Sequence, residues 1–365
     1  MTATQAHAYV ATNDDVPLGP DVPLFTGVPA PQPEPLRLDL VPQQFPKETA
    51  TLQNQNERWL YVLEHAREKK APSTLANYRS SVKRIFEIMP ELRETRLADV
   101  DSETLRLFVN AASSSFLSPT SIKQFLVILK LVKASAKDHR GNKLFDLRDF
   151  NSEHIDAPPV GEQHRPCLTA GDIESLIAAA ESDQERLLYA VLAASGLRVA
   201  ELQAVRVGPQ EEKHSTWDEE AASIYVRSSC FRDREIPRLK TKAAKRTVHI
   251  HSSVNELIAQ FAEKHRKVGD YLFQDASGKG RPICGATFRR TMDKRLMGAA
   301  PHGARRFRVT FLRQQRVQED ILKLEIGHSS AGNDITSLYS RPSDEICTAA
   351  IEATGIGFNV GGKNA

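Results

Sequence analysis

Two arginines in this chain each share a helical face with a residue three positions away that could work with it. In "ASGLRVAEL", Arg198 follows Gly196, a natural helix terminator, and Glu201 comes three residues later. The spacing puts guanidinium and carboxylate on one face of a first helical turn, where a bidentate pair can hold the forked donor. In "PHGARRFRV", His302 and Arg305 share a face just after a proline start, and Arg306, Arg308, Arg313 and Arg316 add positive charge nearby. "LEIGHSS" ends a helix at Gly327 and puts His328 in a turn, with Tyr339 eleven positions further on. A tyrosine is a poor nucleophile at its reference pKa of about 10 unless a base or a positive charge helps. In "LKTKAAKRTVHI", Lys240 and Lys242 fall at the tip of an expected hairpin, where an ammonium can protonate a leaving oxygen or touch phosphate. Taken singly, each pattern also fits a salt-bridged helix start, a basic surface helix, an exposed turn or a half-buried aromatic.

The elements that must position these residues are mostly helical. "ERWLYVLEHAREKK" stripes Trp59, Leu60, Leu63 and Ala66, and "STLANYRSSVKRIFEIM" stripes Leu75, Tyr78, Val82, Ile85 and Phe86 behind Ser73 as N-cap. A third helix starts at Asp101, and a fourth starts at Ser118-Pro119 and runs to Gly141. Exposed basic residues on these helices, Arg79, Lys83, Arg84 and Lys123, could follow a DNA groove or simply face solvent. Beyond a linker, Thr169 caps the next helix and Gly196 separates two more. "AASIYVRSS", "REIPRLKT" and "KRTVHI" read as strands, the last two as a hairpin. The expected fold class is therefore mainly α (α+β): an all-helical domain, then a mostly helical domain with a small three-stranded antiparallel sheet. The domain plan is a Pro-rich N-terminal tail over 1–46, a helical domain over 47–145, a linker over 146–166, a second domain over 167–358 ending in a helix, and a short tail over 359–365.

Bulk properties bound the function. The 365 residues are 40% hydrophobic and 26% charged, which suits a soluble globular protein. No apolar run reaches the ~18 residues that would span a bilayer, and no secretory signal opens the chain, so a cytoplasmic location is expected without a membrane partner. Four dispersed cysteines suggest neither a disulfide framework nor a zinc site. The first fifty residues carry six acids and two bases, leaving an excess of seven positive charges on the remainder, compatible with a polyanionic partner.

Read in order, these boxes (arginine, hairpin lysine, His-x-x-Arg, Gly-His, tyrosine) resemble the tyrosine recombinases, the phage integrase family. "ASGLRVAEL", "HGARR", "IGHSS" and "LYSR" are similar to its catalytic boxes, and "STLANYRSSVKRIF" with "LSPTSIKQFLVILKLVKASA" to its helical core-binding domain. The sequence departs from the family pattern at Ala304, where a larger hydrophobic residue is usual, and in the two additional residues before Tyr339. The resemblance implies a site-specific recombinase that cuts and rejoins DNA through a 3′-phosphotyrosyl link, with no metal, nucleotide or other cofactor. It implies Arg198, Lys240, His302, Arg305, His328 and Tyr339 as catalytic residues, supported by Glu201, with Lys242 the alternative to Lys240. DNA contacts would come from Arg79, Lys83, Arg84, Lys123, Lys242 and Arg306. It further implies double-stranded DNA as partner, a homo-tetramer on paired sites, accessory DNA-bending proteins and association with the nucleoid. A type IB topoisomerase, a hairpin-resolving strand transferase and a catalytically decayed DNA-binding regulator are the alternatives.

Overall fold

The computed structural model describes residues 46–66, 70–138, 140–151, 155–159, 167–239, 241–295, 302–328 and 342–360. Four helices come first: α1 (Leu52–His65), α2 (Pro72–Ile88), α3 (Ser102–Ser114) and α4 (Pro119–Ser135). Their apolar stripes meet in one core that includes Trp59, Ile85, Phe86, Leu105, Phe108, Ile122 and Leu129. Asp101 and Ser118 cap α3 and α4 as expected, each accepting a hydrogen bond from a backbone N–H three residues on. Two boundaries move. Helix α2 starts at Pro72, one residue before the expected cap Ser73, because proline is already set for the first helical position. Helix α4 stops at Ser135, six residues short of Gly141. There the Asp138 carboxylate accepts from the backbone N–H groups of Arg140 and Asn142, both at 2.8 Å, and that local turn competes with further helix.

The second core is organised by α6 (Asp183–Ser195), where every residue from Leu187 to Ser195 is buried. A helix apolar on all sides must be surrounded. Helix α5 (Ala170–Ala178), opened by a Thr169–Asp172 capping box, packs on it, and the short α7 (Val199–Leu202) follows Gly196. Around α6 also pack α8 (Ser252–His265) and α10 (His302–Gln314), which with α9 (Gly285–Arg295), α11 (Glu319–Ile326) and α12 (Asp344–Thr354) complete the described helices.

The mostly helical class stands, while the sheet is larger and mixed. Strands β1 (Val205–Val207), β2 (Ser215–Asp218), β3 (Ser223–Val226) and β6 (Arg246–His249) form it in the order β1-β2-β3-β6, with β1 parallel to β2 and the other pairs antiparallel. Strands β4 (Ser229–Phe231) and β5 (Arg234–Ile236) make a separate hairpin. The expected pairing of "REIPRLKT" with "KRTVHI" is therefore replaced: the first pairs back onto β4 and the second onto β3. Arg232 and Asp233 at the β4–β5 turn both have positive φ, the geometry a two-residue hairpin needs. Asp233 fastens that tip to the start of α9 by accepting from Gly285 N at 2.9 Å, and to the end of α7 by accepting from Gln203 Nε2 at 3.1 Å. Among the described residues no helix is long and apolar enough to cross a membrane.

Candidate active site

The site is built at two glycine-ended helices. Gly196 ends α6 with φ 63°, a left-handed conformation that glycine adopts without steric cost. The chain then turns so that Arg198 heads α7. Its Nη1 donates to Glu201 Oε1 at 2.6 Å, and its backbone N–H donates to Glu201 Oε2 at 3.0 Å. The pair expected from the i,i+3 spacing is present, but it is only half of the arrangement. Arg246 on β6 donates from Nη2 to Glu201 Oε2 at 2.9 Å, from Nε to the Glu325 carbonyl at 2.8 Å and from Nη1 to the Ala244 carbonyl at 3.0 Å. Burial pushes the Glu201 carboxyl up, but Arg246 and then Arg198 outweigh it and hold the group below its usual range.

Arg246 thus joins three elements: the Glu201 carboxylate of α7, the turn that precedes its own strand, and the last turn of α11. Gly327, which ends α11 with φ 63°, is shaped to it. A Cβ there would come within 2.9 Å of Arg246 Cδ and 3.1 Å of the Ala243 carbonyl. Exchanging Arg246 for methionine would leave a buried carboxylate with one partner fewer and two carbonyls unpaired. Breaking a buried pair from one side costs about 3–5 kcal/mol. The expected result is a clear drop in the urea midpoint without a change of slope, measured by circular dichroism; a midpoint equal to wild type would remove Arg246 from this role.

Arg305 on α10 is buried beside this corner. Its Nη1 donates to the Gly196 carbonyl at 2.8 Å, and its Nη2 donates to the Ile326 carbonyl. One guanidinium therefore ties the end of α6 to the end of α11, which brings Arg198 and His328 to it. Burial, and next the like charge of Arg198, push the Arg305 pKa down to about 10. A cation that is hard to keep charged gains the most from an arriving anion.

His302, one turn before Arg305, and His328, just past Gly327, both face solvent. Partial desolvation of the rings, then Arg305 and Arg198, lower the pKa of each imidazole. Both histidines are therefore neutral at pH 7 in the absence of ligand. The sign follows from linkage: stability from these groups is complete above the unfolded-state value of about 6.5 and is lost as pH falls from there through the lowered folded values. Imidazole NMR titration is expected to give midpoints below the free-imidazole value for both, and an added oxyanion should raise them. Midpoints at or above the free value would show that the arginines do not act on them.

Arg306 follows as a half-buried neighbour on α10. Lys240 and Tyr339 lie outside the described residues, so the structure does not place these two expected members. Lys242 opens a short 3-10 turn, Lys242–Ala244, between β5 and β6. Of the expected groove contacts, Arg79 pairs with Glu64, Arg84 with Glu87 at 3.0 Å, and Lys83 lies 3.9 Å from Glu87. Lys123 is exposed on α4. Sequence reasoning missed Arg246, although a signal was there: strand alternation places it on the same face as buried Val248, and an arginine facing a core needs a buried acid.

With this geometry in hand, comparisons with known proteins are informative. Residues 166–345 match the phage integrase family, and residues 57–137 match the phage integrase N-terminal SAM-like domain. No curated protein matches the chain. Among solved structures, the Tn1549 transposon integrase in complex with a circular intermediate DNA is similar with a TM-score of 0.61 and 16% identity, covering 84% of this chain and 100% of that one. A lambda integrase dimer bound to a COC′ core site gives a TM-score of 0.56 at 19% identity, covering 80% of this chain and 77% of that one. A lambda integrase tetramer bound to a Holliday junction gives 0.54 at 19% identity, covering 86% of both chains.

Proposed function

This chain belongs to the phage integrase family, and from that premise we propose how its residues cut and rejoin DNA as a tyrosine-type site-specific recombinase. The observation that carries the residue assignment is the convergence of Arg198 and Arg305, held by Glu201 and by main-chain carbonyls, with two neutral histidines beside them. A cation pair of this kind suits a phosphodiester, whose non-bridging oxygens gain charge in the transition state. The forked guanidinium groups neutralise that charge and hold the phosphorus in line with its attacker.

Tyr339 Oη attacks the scissile phosphorus, forming a 3′-phosphotyrosyl bond as the bond to the 5′ oxygen breaks. His302, neutral before the reaction, assists removal of the phenolic proton, and His328 donates a hydrogen bond to the phosphate. Lys240, or Lys242 in its place, gives a proton to the leaving 5′ oxygen. A 5′ hydroxyl from another strand then reverses the step, so the energy of the broken bond is kept in the protein–DNA link. The reaction balances without a metal or a nucleotide.

The helical domain, 47–145, and the catalytic domain, 167–358, would grip duplex DNA from two sides, with Arg79, Lys83, Arg84, Lys123 and Arg306 on phosphates, so affinity falls as salt rises. The Tn1549 and lambda integrase structures contain DNA, and one holds a tetramer on a Holliday junction. By likeness, four copies of this chain would act on paired sites, in the nucleoid and with accessory DNA-bending proteins. The test is capture on nicked suicide duplexes, followed by peptide mapping of the DNA-linked product. Attachment at Tyr339 supports the mechanism, and attachment at another residue overturns it. Relaxation of supercoils without strand exchange between two cognate sites would mark a topoisomerase instead.

A further inference from the structure

A second cluster of reactive side chains lies on the other end of β6 and plays no part in the chemistry above. His249 closes that strand, Glu325 is on the last turn of α11, and Cys347 is on α12. All three are buried, at 5%, 3% and 2% exposure. An imidazole nitrogen, a carboxylate oxygen and Sγ, one from each residue, lie within 4.8 Å of one another. Both Glu325 oxygens serve His249: Oε1 is 2.6 Å from Nδ1, and Oε2 accepts from the backbone N–H at 3.1 Å. The carboxylate therefore fixes the ring and its tautomer, and leaves Nε2 as the outward-facing nitrogen. That Nε2 is buried without a hydrogen-bond partner. Asp344 Oδ1 is 3.8 Å from it, on an exposed side chain free to close the gap. Asp344 and Cys347 are three apart on α12, hence on one face, and that helix packs on β6.

We propose that His249 Nε2, Cys347 Sγ and Asp344 form a binding site for a borderline-soft divalent cation of the zinc class, with Glu325 orienting the imidazole from the far side. The donor set of one nitrogen, one thiolate and one carboxylate is the chemistry such ions select, and calcium or magnesium would not take it. A carboxylate on the non-ligating nitrogen is the usual support of a metal-bound histidine. Cys347 Sγ lies within 4.8 Å of an imidazole nitrogen of His249 and Asp344 Oδ1 lies 3.8 Å from Nε2, so these donors must draw in to the roughly 3.5 Å that ~2.0–2.3 Å metal bonds allow, which one helix can accommodate by settling. Binding would fasten α12 to the sheet. The fourth position is left for water.

The site is tested on the full-length chain, stripped of metal and titrated with Co²⁺, whose thiolate complexes absorb in the near ultraviolet. One equivalent should develop a sulfur-to-cobalt charge-transfer band together with intense four-coordinate visible bands. Cys347→Ser should lose the charge-transfer band, and Asp344→Asn should weaken binding ~10-fold or more. The melting temperature of each variant without metal serves as the folding control, and because Asp344 is exposed, its variant tests the site even if the buried one unfolds. No charge-transfer band at stoichiometric Co²⁺, a band that survives Cys347→Ser, or unchanged affinity in Asp344→Asn would overturn the proposal.

Discussion

Replacing Tyr339 by phenylalanine is expected to abolish covalent capture of DNA, a loss on the order of 10⁴-fold or more, as for removal of a nucleophile elsewhere. Duplex binding should change by no more than about fivefold, because the lost hydroxyl contributes one hydrogen bond of roughly 1 kcal/mol. Phenylalanine keeps the aromatic ring and removes only the hydroxyl oxygen. The split between capture and binding is what separates a nucleophile from a residue that merely holds the fold. A phenol that titrates at about 10 is almost wholly protonated at pH 7, so attack needs a nearby base and stabilised negative charge. In the proposed mechanism neutral His302 and the Arg198–Arg305 pair would supply both. Suicide-substrate capture and mobility-shift binding, run side by side, make the measurement. Capture that persists in the phenylalanine variant would remove Tyr339 from the mechanism.

Replacing Arg305 by alanine should lower the cleavage rate by roughly 10³-fold, the upper end for loss of one preorganised oxyanion donor. DNA affinity should fall far less, since many phosphate contacts share it. Arg305 is 7% exposed, so its charge would act on a bound phosphate with little screening by water. Lysine at this position keeps the charge but loses the fork, and is expected to recover only a small part of the rate. A denaturation midpoint is needed as control, because the Gly196 and Ile326 carbonyls lose their donor at a cost of about 1–3 kcal/mol each. An alanine variant that cleaves within tenfold of wild type would show that Arg198 suffices alone.

Much of this site could be read before the structure, for reasons visible in particular residues. Gly196 and Gly327 announced helix ends, and the i,i+3 spacings of Arg198–Glu201 and His302–Arg305 announced shared faces, because local geometry dictates both. The sheet was less legible. Strands of three or four residues carry too few positions for alternation to fix a partner, so "REIPRLKT" was paired forward when it pairs back, and the parallel β1–β2 contact left no local trace. The role of Arg246 was hidden for another reason. Its partners, Glu201 and the Glu325 carbonyl, are 45 and 79 residues away, and only tertiary structure brings them together. The end of α4 was misread because a single carboxylate, Asp138, outcompeted the helix.

The acceptors that hold Arg305 are the oxygens of Gly196 and Ile326, which belong to the peptide chain and are present whatever side chain stands there. The Arg305 guanidinium is therefore insulated from apolar exchange at position 326: leucine or valine would offer the same oxygen at the same place. What cannot drift is the path of the backbone, and that is set by the glycine next door. A mutational scan of this corner should come out uneven, with apolar replacements of buried Ile326 tolerated and almost nothing tolerated at 327, although the two positions are adjacent.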